Sequence, residues 1–329
     1  MEWANKKVLV TGGGGFIASH LIEKLIELKA DVRGFVRYNS RNDRGLIELL
    51  PPIVQDSLDI VASDLRDYSA CYDAMKDVDV VFHLAALIAI PYSYKYPSNV
   101  IENNIRITEN VMLAAKQLGV KKIVHTSSSE VYGTAEYTPI DEKHPLKSQS
   151  PYAASKTGCD HLALSFYYSY DLPVAIIRPF NTFGPRQSAR AIIPTIITQA
   201  LVQKKIFLGS LTPKRDLTYI KDLVNGFIKV AESDKSIGEV INIGNGKDIS
   251  VGDLADKIVS LINPDIKITF DATRIRPEKS EVERLICDPT KAINMLGWKA
   301  DFTMEEGLKE TINWIKEHIS IYKPFTYNI

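Results

Sequence analysis

Apolar positions recur along the first half of the chain with two alternating periods. Short runs such as "KVLVTG", "DVRGFVR", "LDIVASD", "VDVVFHLA" and "KKIVH" read as strands. Between them, "FIASHLIEKLIELKA" repeats Ile17, Leu21, Leu25 and Leu28 at helical spacing, and "YSACYDAMKD" and "NVIENNIRITENVMLAAKQLG" supply further helices. This order predicts an α/β chain on a doubly wound parallel sheet with helices on both faces. Ligands of such sheets bind beyond the carboxyl ends of the strands, which is where "TSSSE" leaves "KKIVH".

After "VAIIRP" the pattern loosens. Pro179, Pro185, Pro194 and Pro213 interrupt it, and "FNTFGPRQSAR" has no clean period. "GEVINIGNG" reads as a late strand returning to the sheet. The expected division is residues 1–178 as a dinucleotide-binding domain with returning segments near 216–245. Residues 179–329 then form mainly a smaller, interleaved C-terminal substrate domain.

Composition narrows the class. Lys+Arg equals Asp+Glu at 40 each, so the chain lacks the basic excess of a nucleic-acid or membrane-surface binder. Cys71, Cys159 and Cys287 are scattered, lack metal-ligand spacing, and suit a reducing compartment. The six histidines form no metal cluster in sequence, so no metal is expected. The first strand begins too early for a signal peptide, and "VDVVFHLAALIAIP" is too short to span a bilayer. A soluble cytoplasmic protein is expected.

"TGGGGFIASHL" lies between the first strand and first helix, where backbone N–H groups and the helix dipole hold a pyrophosphate. Gly12 and Gly15 are three apart, and Ala18 takes the third small position, allowing close helix–sheet packing. This context marks a Rossmann dinucleotide site. NAD-preferring sites carry an acid after the second strand, whereas "RGFVRYNSRNDR" offers Arg37, Ser40, Arg41 and Arg44. Arginine suits a 2′-phosphate, so NADP is favoured, with NAD the alternative. Asp64, followed by Leu65, is placed to touch the adenine, or to cap a helix.

"SPYAASKTGCDHLALSFYY" starts a helix with Tyr152 and Lys156 four apart on one face. A tyrosine of pKa about 10 is a poor base at neutral pH. A cation about 4 Å away, at an effective dielectric near 20, is worth about 4 kcal/mol, enough to lower that value by up to about three units. Tyr152 would then accept a hydroxyl proton, with Ser128 hydrogen-bonded to the same oxygen.

Together "TGGGGFIASHL", "HLAA", "TSSSEVYG", "PYAASK", "RPFNTFGP", "RDLTYIKD" and "LGW" resemble the extended short-chain dehydrogenase/reductase family over nearly the whole chain. Members act mainly on nucleotide-diphosphate sugars with a tightly held, recycled cofactor. The resemblance carries Phe16, Ile17, Leu84, Ala85 and Ala86 to the cofactor, and Ser128, Tyr152 and Lys156 to catalysis. It also implies a homodimer paired through "NNIRITENVMLAA" and "YAASKTGCDHLAL".

In that family the residues after the catalytic serine separate the chemistries. Sugar-nucleotide 4-epimerases have no acid there; hexose 4,6-dehydratases and glucuronate decarboxylases have a glutamate, as in "SSSEVYG". A ketone made at C4 acidifies the C5 proton. A base at C5 then expels the C6 hydroxyl, and hydride returns to C6. The resemblance makes Glu130 that C5 base. Thymidine-diphosphoglucose dehydratases have an aspartate before it; here Ser129 stands there, which leaves the acid for C6 open between Glu130 itself and a water on Ser129. On the substrate side the resemblance implies Asn181 at the diphosphate, Ile192 in the nucleotide pocket, Arg215 and Arg276 on phosphate or ribose oxygens, and Glu281 on a ribose hydroxyl. "SEVYGTAEYTPIDEKHPLKSQSPYAASK" and "RPFNTFGPRQSARAIIPTIITQAL" are similar to UDP-N-acetylglucosamine 4,6-dehydratases of bacterial legionaminic-acid biosynthesis, which retain the C5 configuration. The expected activity is therefore that dehydration, with UDP favoured. UDP-glucuronate decarboxylase, GDP-mannose 4,6-dehydratase and 4-epimerase are the alternatives.

Overall fold

Seven strands form one sheet, and every pairing in it is parallel. The computed structural model describes residues 2–274 and 282–325. The first six strands are β1 (Lys7–Thr11), β2 (Asp31–Arg37), β3 (Leu58–Ser63), β4 (Val80–His83), β5 (Lys122–Thr126) and β6 (Val174–Pro179). Their spatial order is β3-β2-β1-β4-β5-β6, and Val240–Ile243 adds a last strand beside β6. The order in which strands are added thus switches sides between β1 and β4, and the crevice at that switch lies beyond Thr11 and His83.

The period-two pattern sorts the strands' side chains into two cores. Val8 and Val10 point to one face with Leu21 and Leu25 of helix Phe16–Glu27 and Phe227 of helix Ile220–Glu232. Leu9 points to the other, with Val111 of helix Pro97–Leu118 and Ala163 of helix Pro151–Tyr170. β4, β5 and β6 are buried along their whole length, as strands covered by helices on both faces are.

Two features differ from the sequence reading. The apolar run after β4 turns into a short helix, Ile90–Lys95, before the long helix begins. The aperiodic region after Pro179 contains a small sheet gathered on Lys214–Tyr219, which pairs with Asn181–Phe183, Asp248–Ser250 and Arg284–Leu285. Strands of two or three residues are too short to show a period. Among the described residues, no helix is long and apolar enough to cross a membrane.

Candidate active site

The glycine loop has the shape a dinucleotide's diphosphate requires. Gly12 has φ +71°, and a Cβ there would meet Cα and N of Ala85 at 3.0 Å. Thr11 Oγ1 accepts the N–H groups of Leu84 and Ala85 at 3.1 and 3.2 Å, which fixes "HLAA" against the loop. Gly15 caps helix Phe16–Glu27 without any side-chain hydrogen bond, and no acid occupies the first turn. Its leading N–H groups and dipole therefore remain for an anion, with Phe16 and Ile17 in that turn. These residues fit a nicotinamide dinucleotide.

Arg37 ends β2 and is exposed, as are Ser40 and Arg41. Asn39 organises the following turn, its Oδ1 accepting from Arg41 N and Asp43 N, both at 3.1 Å. Arg44 turns away to Gln55. Asp64 is neither a helix cap nor free of partners. It forms an ion pair with Arg66 at 2.5 Å, and Asp67 caps the next helix instead. Hydrogen bonding to Arg66 holds the Asp64 carboxyl below its ordinary range. Leu65 is buried, its carbonyl accepting from Asn110 Nδ2 at 2.9 Å.

Beyond β5 the chain forms a 3₁₀ turn, Ser129–Tyr132, capped by Ser128, whose Oγ accepts from Glu130 N at 3.2 Å. Helix Pro151–Tyr170, capped by Ser150, brings Tyr152 and Lys156 alongside; both are buried. The expected lowering of the Tyr152 phenol by Lys156 is not found in this state. Burial raises it well above its ordinary range; the Ser128 hydrogen bond opposes this, while Glu130 and Asp160 raise it further. Removing the ring from water disfavours phenolate more than the hydrogen bond favours it. Glu130 is half-buried in a narrow surface cleft with Ile90, Tyr94, Gln149, Ser150, Ala153 and Val282. Ser129 is buried in the turn and is not among those walls.

Asn181 lies half-buried in its strand, with Oδ1 buried and lacking a hydrogen-bond partner. Ile192 opens helix Ile192–Val202. Arg215 donates from Nη1 to Lys214 O at 3.0 Å, in the small sheet. Arg276 and Glu281 lie outside the described residues. Sequence reasoning missed Asp160 and Arg178, which meet at 2.9 Å, Asp160 one turn beyond Lys156 on the helix that carries the candidate Tyr152 and Lys156. The available signal was a carboxylate four residues after Lys156 and an arginine inside the otherwise apolar "VAIIRP".

Such a loop, with a serine beyond β5 and a tyrosine and a lysine on the helix beside it, defines a nicotinamide-dependent enzyme. Residues 9–311 match the family model described as GDP-mannose 4,6 dehydratase, and the chain belongs to that family, within the extended short-chain dehydrogenase/reductases. It is 33% identical over 317 residues to a putative UDP-glucose 4-epimerase of Methanocaldococcus jannaschii, covering 94% of this chain and 99% of that one. A UDP-N-acetylglucosamine 4-epimerase from Methanobrevibacter ruminantium, solved with UDP-N-acetylmuramic acid, superposes with TM-score 0.87 at 33% identity, covering 96% and 99%. The dTDP-glucose 4,6-dehydratase DesIV of Streptomyces venezuelae, solved with NAD and TYD bound, gives TM-score 0.85 at 28% identity, covering 97% and 100%. The chain is an enzyme of the nucleotide-sugar dehydratase, epimerase and decarboxylase group.

Proposed function

We propose that this enzyme is a nucleotide-sugar 4,6-dehydratase that converts UDP-N-acetylglucosamine to the UDP-4-keto-6-deoxy sugar. The observation that carries the reading is the Glu130 carboxylate, two residues beyond Ser128 in the turn that Ser128 caps, lining a cleft beside the Tyr152 helix. A 4-epimerase needs no carboxylate at that place, whereas elimination across C5 and C6 does. Ser128 and Tyr152 share the C4 oxygen, Tyr152 holding the proton that leaves it. Glu130 takes the C5 proton once C4 is a ketone and passes it to the departing C6 hydroxyl, which leaves as water while the C5 electron pair becomes the C5–C6 double bond; C5 regains a proton from solvent when hydride adds to C6. A bound nicotinamide dinucleotide supplies hydride acceptance at C4 and return at C6.

NADP is the favoured cofactor, because β2 ends in exposed Arg37 with no acid there. The segment after Pro179 is read as the substrate-binding part, with the partnerless Asn181 Oδ1 awaiting a donor. Exposed Ile101, Leu113 and Tyr168 on the two longest helices support a homodimer. The similarity to legionaminic-acid dehydratases supports the 2-acetamido sugar. Incubation with UDP-, GDP- and dTDP-hexoses, read by mass, tests the proposal. An 18-dalton loss from UDP-N-acetylglucosamine is expected. An isomer of unchanged mass selects the epimerase, and carbon dioxide from UDP-glucuronate selects the decarboxylase. Glu130→Gln is expected to block elimination while leaving cofactor binding intact; wild-type turnover by that variant would falsify the role.

A further inference from the structure

Beneath the candidate site lies a charge pair that no step of the chemistry uses. Asp160 is 1% exposed and Arg178 4%. Arg178 donates from Nε and Nη2 to one oxygen, Asp160 Oδ2, at 3.1 and 2.9 Å. Ser127 Oγ donates to the same oxygen at 2.6 Å. The third arm of the guanidinium, Nη1, donates to the Tyr132 hydroxyl at 3.0 Å, which in turn donates to Asn242 Oδ1 at 2.8 Å.

Each of these partners adjoins a different part of the site. Asp160 lies on the helix that carries Tyr152 and Lys156, one turn beyond Lys156. Ser127 is joined to Ser128 by one peptide bond. Tyr132 closes the turn that carries Glu130. A buried ion pair is a poor source of net stability, since desolvation offsets its attraction. Its hydrogen bonds are directional, however, and a planar fork fixes angles as well as distances. We propose that Asp160 and Arg178 are positioning residues that set the mutual geometry of Tyr152, Ser128 and Glu130, with the Tyr132 hydroxyl serving the Glu130 arm alone.

The arms are separable, which makes the test specific. Single-turnover reactions of the cofactor-loaded enzyme report C4 oxidation by absorbance of reduced nicotinamide, and elimination by deuterium uptake from D₂O at C5. Tyr132→Phe keeps the ring and removes one hydroxyl; it is expected to slow C5 exchange about 10-fold or more while leaving C4 oxidation unchanged, as small misplacements of a reacting group do. Asp160→Asn is expected to slow both steps, by about 10- to 100-fold. A merely structural role would lower the active fraction, and so the amplitudes, without changing the ratio of the two rates. Equal slowing of both steps in Tyr132→Phe, or no change in either, overturns the proposal; should Asp160→Asn not fold, Tyr132→Phe still decides.

The Glu130 arm rests on the dehydratase reading, and the control separates the two. If the wild type oxidises a nucleotide hexose but returns it as an epimer, that reading fails. Asp160→Asn must then still slow oxidation while Tyr132→Phe does not. Full-rate oxidation in Asp160→Asn rejects the positioning role whatever the product.

Discussion

Gly133 follows the turn that carries Glu130, and replacing it by alanine joins a backbone cost to a steric one. Its φ of +65° and ψ of −152° lie in a region open essentially to glycine alone. An added Cβ would stand 2.1 Å from Lys147 O and 2.9 Å from Gln149 Oε1. Carbon in ordinary contact needs about 3.5 Å, so the 147–149 segment has to move by more than about 1 Å. That displacement strains the Val131 O to Lys147 N bond of 3.0 Å and moves Gln149, a wall of the Glu130 cleft. Backbone strain and overpacking each cost about 1–3 kcal/mol, which together give about 4 kcal/mol. Urea unfolding followed by tryptophan fluorescence measures this. Gly119→Ala is the control, since Gly119 has φ +65° with nothing within 4 Å of a new Cβ. It should cost only about 1 kcal/mol. If Gly133→Ala costs no more than Gly119→Ala, the close approach of Lys147 does not constrain the turn. Intact elimination in that variant would separate the turn's geometry from catalysis.

Tyr152→Phe should melt like the wild type yet oxidise C4 at least about 100-fold more slowly, as the proposed role of its phenolate in taking the C4 hydroxyl proton requires; reduced nicotinamide forming at normal rate in single turnover would remove it from that role. Arg37→Glu should move the ratio of NADP to NAD affinity by about 10-fold or more toward NAD, measured by calorimetric titration. An unchanged ratio would place the 2′-position elsewhere. The acid limb of stability should carry the signature of Asp160. Burial alone would raise this carboxyl, but His125, Arg178 and Ser127 outweigh it and hold it at about 2. A folded pKa below the unfolded value gives stability that is complete above pH about 4 and is lost as pH falls through about 2, about 2 kcal/mol in all. Asp160→Asn should flatten that part of the urea-midpoint profile, and an identical slope would contradict the assignment.

The Rossmann half was legible because each element carries its own local pattern. Leu21 and Leu25 recur at helical spacing, Val8 and Val10 alternate with Leu9, and the glycine loop stands between them. Ser128, Glu130, Tyr152 and Lys156 stood out as candidates for the same reason: each belongs to a short motif. The small sheet after Pro179 was not legible, since Arg284–Leu285 and Asn181–Phe183 are defined by partners distant in sequence. Asp160 and Arg178 were missed because neither has a local meaning; a charge on a helix and a charge near a strand end acquire theirs only when the fold brings them to 2.9 Å. The Tyr152 phenol shows the opposite limit. Spacing placed a lysine beside it, but burial, which a four-residue interval does not report, dominates its titration in this state.

Epimerases and dehydratases superpose on this chain with TM-scores of 0.87 and 0.85, so the fold cannot decide between them. The part of the site shared by both chemistries is the part that handles a proton on the C4 oxygen. What divides them is whether a base reaches C5 during the short life of the ketone. Under the proposed reading that base is Glu130, whose turn is held from both ends: its N–H by Ser128 Oγ, and the turn's last residue by Arg178. In the proposed dehydration one serine would thus serve both the C4 oxygen and the backbone of the C5 base, and the two steps would share one geometry. A carboxylate on a loose surface loop would need neither anchor.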